Sequence, residues 1–184
     1  MKPWFLAGLL VGSLCSPLLA QQIEGIARFS EVNPHLYRGG QPTLSALEAL
    51  AKLGVVTDLD LRAGGERGVA EERQAKALGM HYINFPLNGL RAPRKEQIDQ
   101  VMALLQDSKN WPVFVHCQHG VDRTGTVIAC YRIAFDSWPN GRAEKEAEER
   151  GMHSVERSMK KFILNFHTAA PAPSAVGAAA GGGR

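Results

Sequence analysis

Cys117 and Arg123 stand five residues apart in the run Pro112-Val-Phe-Val-His-Cys-Gln-His-Gly-Val-Asp-Arg-Thr-Gly-Thr126. Val113, Phe114 and Val115 are a short β-favouring apolar run of the kind a buried strand uses, Gly120 punctuates a loop, and the residues from Thr124 through Ala134 can continue as a helix. A loop that curls from a strand into a helix points successive backbone N–H groups inward and makes a nest for a tetrahedral anion. The helix N-terminus adds its partial positive charge. Arg123 supplies a planar fork that grips two phosphate oxygens at once, which lysine cannot do. Cys117 would lie at the bottom of the cradle, where the field that binds phosphate also favours thiolate over thiol. A nucleophile and an anion cradle in one loop imply phosphoryl transfer through a cysteinyl-phosphate.

The other elements have to hold that loop in place. A strand is predicted over 27–30 and another over 35–38, the second closed by Gly39-Gly40-Gln41-Pro42. Thr43 is placed to cap a helix through Leu53, with Leu44, Leu47, Leu50 and Ala51 on its apolar face and Gly54 ending it. Residues 55–61 read as a buried strand, 66–78 as a charged amphipathic helix stopped by Gly79, and 80–85 as a further strand. An irregular loop spans 86–93, and the helix after it buries Ile98, Val101, Met102 and Leu105. Behind the cysteine loop, Val127, Ile128, Cys130, Tyr131 and Ile133 mark a buried helix, and 142–150 reads as a charge-rich, solvated one. Ser154 is expected to cap a last helix that docks through Val155, Met159, Phe162, Ile163 and Phe166. Strands alternating with helices indicate one α/β domain.

The motif His116-Cys117-x-x-Gly120-x-x-Arg123-Thr124-Gly125 resembles the phosphate-binding loop of the cysteine-dependent protein tyrosine phosphatase superfamily. The compact size and the order of elements resemble its dual-specificity branch, above all the small bacterial, plant and fungal members. Tyr37-Arg38-Gly39-Gly40-Gln41-Pro42 is similar to the segment that opens those domains, and the resemblance runs from about Tyr37 to Phe166. It implies a three-layer fold with a central mixed, mostly parallel sheet flanked by helices. It also implies that Cys117 is the nucleophile and that Arg123 binds phosphate. The backbone groups of Gln118, His119, Gly120, Val121, Asp122, Arg123 and Thr124 would complete the cradle. Thr124 can donate its hydroxyl to the thiolate or cap the helix, and His116 would orient the loop with its side chain turned away from Cys117. No cofactor or metal is expected.

The proton donor for the leaving alcohol is the open role. Such families usually take it from an aspartate on a separate loop, and the corresponding stretch here, 85–93, has Asn88 but no Asp or Glu. Asp122 is the substitute: myotubularin-like lipid phosphatases also carry Asp-Arg-Thr at this point, and there the loop aspartate is the assigned acid. The other reading of Asp122 is a carboxylate that pairs near Arg123 and shapes the loop. Asp58 and Asp60 lie in a buried strand and are weaker candidates, and His119 belongs to the rim. Arg62 either positions anions or pairs with Glu66 or Asp60. Arg91, Arg94 and Lys95 either recognise a second phosphate or expose a helix start. The substrate is a phosphorylated protein or a small phosphorylated molecule such as an inositol phosphate or lipid head group. A phosphate-binding module without turnover and a rhodanese-like sulfur transferase are the readings of other classes.

The formal net charge of +3, spread with both signs along 184 residues, does not point to nucleic acid. Lys2, the apolar run from Trp4 to Leu14 and Ser16-Pro-Leu-Leu-Ala20 resemble a secretory signal peptide over 1–20, so export without lasting membrane insertion is expected. The phosphatase-like domain then spans 21–167, and the Ala/Pro/Gly-rich 168–184 is expected to be a disordered tail. Removal of the leader would leave Cys117 and Cys130, free thiols or a regulatory disulfide in an oxidising compartment. The sequence does not fix an oligomeric state.

Overall fold

The strand that ends in Cys117 lies at the middle of the sheet. The computed structural model describes residues 22–168; the expected leader and residues 169–184 of the expected tail lie outside them. Strands β1 (Ser30–Asn33), β2 (Leu36–Gly40), β3 (Thr57–Asp60), β4 (His81–Asn84) and β5 (Val113–Cys117) form one sheet in the order β1-β2-β5-β3-β4. β1 and β2 are antiparallel and the other three pairings are parallel, so the sheet is mixed and mostly parallel. All five residues of β5 are buried, as a strand flanked on both edges and covered on both faces requires.

Alternation along β5 sorts its side chains between two layers. Val113, Val115 and Cys117 join one core cluster with Ile98, Val101, Met102 and Leu105 of α3 (Lys95–Gln106) and with Val127, Ile128 and Cys130 of α4 (Asp122–Phe135). Phe114 joins the opposite cluster with Leu47 and Leu50 of α1 (Leu44–Lys52) and Ala75 of α2 (Glu66–Ala77). Helices α5 (Asn140–Glu149) and α6 (Arg157–Leu164) pack behind α4 through Ala129, Ala143, Ala147 and Ile163. This is the expected three-layer α/β domain. Each large apolar side chain so buried contributes roughly 1.5–3 kcal/mol, and the α3 stripe follows the predicted spacing.

Thr43 caps α1 as expected, its Oγ1 accepting the Ala46 N–H at 3.2 Å, and Gly54 follows the helix at φ +91°. Four local expectations are corrected. The first strand starts at Ser30 rather than 27, because the chain turns at Ala27 and Arg28, where φ is +56°. Leu44 is 49% exposed, and Ala46 takes the buried place beside Leu47 and Leu50. The last helix begins at Arg157 after Glu156, which leaves Ser154 outside the cap and Val155 at 77% exposure. Helix α4 begins at Asp122, so Thr124 sits inside its first turn and caps nothing.

Candidate active site

Three successive carbonyls of the cysteine loop are turned outward, each to a donor from elsewhere in the chain. The backbone N–H of Gln41 donates to Gln118 O at 3.2 Å. Arg28 Nη1 donates to His119 O at 3.3 Å and Arg38 Nη2 to Gly120 O at 3.0 Å. A peptide whose carbonyl faces out presents its N–H inward, so these three donors aim the loop's N–H groups into the cradle. Arg38 stands in the fully buried β2 and is only 2% exposed; burial pulls its guanidinium down to about 10, still cationic at neutral pH.

Gly120 is the position where the backbone leaves no alternative. Its φ is +74°, and a Cβ there would stand 2.5 Å from Gly39 C and 2.6 Å from Gly40 N. Gly39 and Gly40 are in turn the β2 residues registered against His116 and Cys117. The loop therefore folds back over the end of β2 at van der Waals contact. Gly120→Ala is expected to cost about 1–3 kcal/mol from the positive φ alone, with the clash in addition. Thermal unfolding should show a melting point lower by about 5 °C or more; an unchanged midpoint would show that the loop has room that this packing denies it.

Cys117 lies at the floor of the cradle, 2% exposed. Burial pushes its thiol up. The Thr124 hydroxyl, the Thr124 backbone N–H, the Arg123 charge and the His119 N–H pull it down, and the net value falls below the ordinary 9.0. Thr124 Oγ1 is buried with no nitrogen or oxygen partner, which leaves its hydroxyl free to turn to Sγ. That contact strengthens when the sulfur carries charge. Arg123 is held from below by Leu61 O, 3.4 Å from its Nη1. Gln118 and Arg123 line a cleft of about 440 Å³ together with Gln41, Arg62, Ala63, Gly65 and Gly68. A cleft of about 570 Å³ elsewhere, between Gln22–Gly25 and Thr43–Ala49, contains no such nucleophile.

The loop expected to lack an acid does reach the site. A Cβ on Gly89 would lie 3.8 Å from Arg123 Cζ, and Asn88 spends its Oδ1 on the Leu90 N–H at 2.8 Å. Asp122 is turned neither to Arg123 nor into this loop. Its Oδ1 accepts the His153 backbone N–H at 3.0 Å, and the His153 ring Nδ1 stands 2.8 Å from Oδ2. Val121 is buried beneath Gly151 of the same α5–α6 connection. Arg62 is engaged by Asp60 through Nε and Nη2 and by Glu71 through Nη2, which matches the ion-pair reading of that residue. Of the basic residues beside the mouth, Lys95 pairs with Asp99 at 2.7 Å. Among the described residues Cys117 and Cys130 are both free, and Cys130 is wholly buried in the α4 layer, where desolvation pushes its thiol up.

His116 points away from Cys117, as strand alternation predicts, into a buried ionic cluster. Its Nε2 lies 3.1 Å from Asp58 Oδ1 and 2.8 Å from Glu71 Oε1, and its Nδ1–H donates to Cys117 O at 3.3 Å. Nε2 therefore stands between two buried carboxylates, and its charge faces both at close range. Burial alone would lower this imidazole, but Asp58 and Glu71 outweigh it and hold it up to about 10. Asp58, Glu71 and His116 are near enough to share a metal ion, yet the 2.8 Å approach of nitrogen to oxygen is a hydrogen-bond distance, and a proton suits it.

Sequence reasoning missed Arg28, Arg38, Glu71 and His153. Arg38 carried a usable signal, a charged residue within an apolar strand segment. The other three reach the loop from positions that no local pattern connects to it.

The family model described as DSP-PTPase phosphatase fused to NAD+ kinase matches residues 20–164. The chain is 26% identical over 136 residues to the dual specificity protein phosphatase TpbA of Pseudomonas aeruginosa, covering 74% of this chain and 60% of that relative's length. It is 29% identical over 108 residues to the inositol diphosphatase DSP1 of Oryza sativa subsp. japonica, 56% of this chain and 48% of the relative. The fold superposes on the crystal structure of TpbA with a TM-score of 0.68 at 23% identity, covering 83% of this chain and 92% of that one. It superposes equally on the core catalytic domain of the PP-IP phosphatase SIW14 of S. cerevisiae, TM-score 0.68 at 18% identity, over 79% and 89% of the two chains. At these identities the structural likeness speaks to the fold.

Proposed function

Because the chain belongs to the family described as DSP-PTPase phosphatase fused to NAD+ kinase, we propose that it is a phosphomonoester hydrolase of the tyrosine or dual-specificity type that works through a cysteinyl-phosphate. The observation that carries this reading is the cradle itself. Three outward carbonyls aim the N–H groups at the space above a thiol whose pKa is depressed. Sγ attacks phosphorus from the floor of the loop, and the P–O bond to the alcohol breaks on the opposite side. Arg123 and the loop N–H groups hold the three equatorial oxygens, where charge accumulates in the transition state. Water then hydrolyses the cysteinyl-phosphate, with the thiolate as leaving group.

The cleft lining favours broad specificity for the esterified group. Gln41, Arg62, Ala63, Gly65, Gly68, Gln118 and Arg123 include no aromatic ring to clasp a phenol. Phosphotyrosine and phosphothreonine peptides are therefore expected to differ by less than about tenfold in kcat/KM, and both to exceed inositol phosphates. Of the three basic mouth residues, Lys95 is paired with Asp99 while Arg91 and Arg94 are exposed and could meet a second phosphate, so the inositol phosphate reading rests on those two; Arg62, in the cleft, is already paired with Asp60 and Glu71. A panel of phosphopeptides, inositol phosphates and phosphoinositides, compared by kcat/KM, tests the reading. A tenfold preference for an inositol polyphosphate would move the substrate to that class, and no release of phosphate from any ester would leave only a phosphate-binding module.

A further inference from the structure

We propose that the cleft behind the cysteine loop, walled by Arg28, Arg38 and Arg150, is a second oxyanion site that takes inorganic phosphate. The three guanidinium residues line one cleft of about 380 Å³. It shares no lining residue with the cleft that holds Gln118 and Arg123, so the two are separate places on the molecule. The carboxylate that also lines it, Glu149, has Lys145 Nζ 3.9 Å from its Oε1, and Glu146 of the same helix pairs with Arg132 at 3.4 Å. Three cations thus face the cleft against one carboxylate that is shared with a fourth.

Arg38 carries the argument, because it is only 2% exposed. Its guanidinium bonds Gly120 O through Nη2, and among the described residues no carboxylate pairs with it. A buried cation in a fixed five-donor fork is costly unless an anion compensates it. Burial and then the Arg150 charge pull its pKa down, so two cations lie close enough to oppose each other. Arg28 is likewise without a carboxylate among the described residues, with Nη1 on His119 O and a φ of +56°. A left-handed setting for a non-glycine residue is strain of the kind that clusters at ligand clamps. Arg150 gives Nη1 to Ser30 Oγ at 3.0 Å and no donor to a carboxylate among the described residues. The turn after it closes the wall, since a Cβ on Gly151 would stand 3.1 Å from Val121 Cγ1 and 3.6 Å from Arg28 Nε. Planar forks converging on one space suit a tetrahedral oxyanion, which each can grip by two oxygens.

The rear site and the cradle share a wall. Arg28 and Arg38 are the donors that turn His119 O and Gly120 O outward, so the loop stands between the two anions. The Arg38 charge and the Cys117 thiolate attract each other. A rear anion offsets that charge and makes both the thiolate and a phosphate in the cradle less favourable. The coupling is negative, and it is the same whichever site fills first. Inorganic phosphate is the product of the reaction proposed above, so the rear site makes the product a mixed inhibitor rather than a competitive one. That kinetic consequence rests on the phosphatase reading; the binding does not.

Titration of the full chain with inorganic phosphate at constant ionic strength, followed by the arginine Nε–H resonances, tests the site. The wild type is expected to show two saturable events, one at Arg123 and one at Arg28, Arg38 and Arg150. Arg123→Ala should keep the rear event, and Arg150→Ala should weaken it about tenfold or more while keeping the event at Arg123. Lys161→Ala removes the same charge from an exposed position on α6 and is expected to change neither. A single event in the wild type, or equal weakening in Arg150→Ala and Lys161→Ala, would overturn the site in favour of general surface charge. In steady-state assays phosphate should lower kcat and raise KM in the wild type but only raise KM in Arg150→Ala. Purely competitive inhibition in both would overturn the coupling. Failure of the phosphatase reading looks different, since the wild type would then turn over no ester while the titration still decides the rear site.

Discussion

Cys117→Ser is expected to lower phosphate release from a nitrophenyl phosphate by about 10⁴-fold or more while the cradle still binds oxyanions. The hydroxyl that replaces the thiol is far from ionised at neutral pH. The donors that depress the thiol, Thr124 Oγ1, two loop N–H groups and Arg123, are tuned for a large polarisable sulfur. A 10⁴-fold loss corresponds to about 5–6 kcal/mol of activation free energy, more than any neighbouring group here can restore. Binding has a different source. The inward N–H groups are set by Gln41, Arg28 and Arg38 from outside the loop, and none of these contacts involves Sγ. Initial rates, together with calorimetric titration by inorganic phosphate, separate the two effects. Retention of more than about 1% of the wild-type rate would mean that attack on phosphorus does not come from this sulfur.

The parts of this site that lie close together in sequence were legible there, and the parts assembled from a distance were not. Val113 to Thr126 is a local strand–loop–helix, and its nucleophile and cation keep their spacing whatever surrounds them. The α3 stripe and the Thr43 cap were equally local. What turns the loop into a cradle arrives from far away: Arg28 bonds His119 across 91 positions, Arg38 bonds Gly120 across 82, and His153 meets Asp122 across 31. Periodicity is blind to such pairs. It also misled where apolar residues flank a helix start, since Leu44 and Val155 both point to solvent. Asp58 and Asp60 show a subtler failure. Two acids in a strand buried along its whole length are too costly to leave unpaired. The sequence therefore required buried partners for them, but only the register of β3 against β5 makes His116 one of them.

That cluster predicts an alkaline weakness. His116 titrates near 6.5 in an unfolded chain and is held up to about 10 in the fold. A raised pKa stabilises fully below the unfolded value and is lost as pH climbs through the folded one. Glu71, raised by burial against the pull of His116, acts in the same direction. Asp60, lowered by Arg62 and His116 against its own burial, contributes above its ordinary 3.8 and is lost only in acid. The wild type should therefore lose a few kcal/mol between about pH 6.5 and 10, read as a falling urea midpoint. His116→Asn removes the cation that two buried carboxylates share and is expected to cost about 3–5 kcal/mol at neutral pH. Where that variant does not fold, the pair Asp58→Asn with His116→Asn removes one charge of each sign and should fold with a flatter alkaline limb. The same imidazolium donates Nδ1–H to Cys117 O, so its loss also loosens the strand end that positions the nucleophile. A stability profile level from pH 6.5 to 10, or a single variant that costs less than about 1 kcal/mol, would mean that the proton between Asp58 and Glu71 does not hold β5 in place.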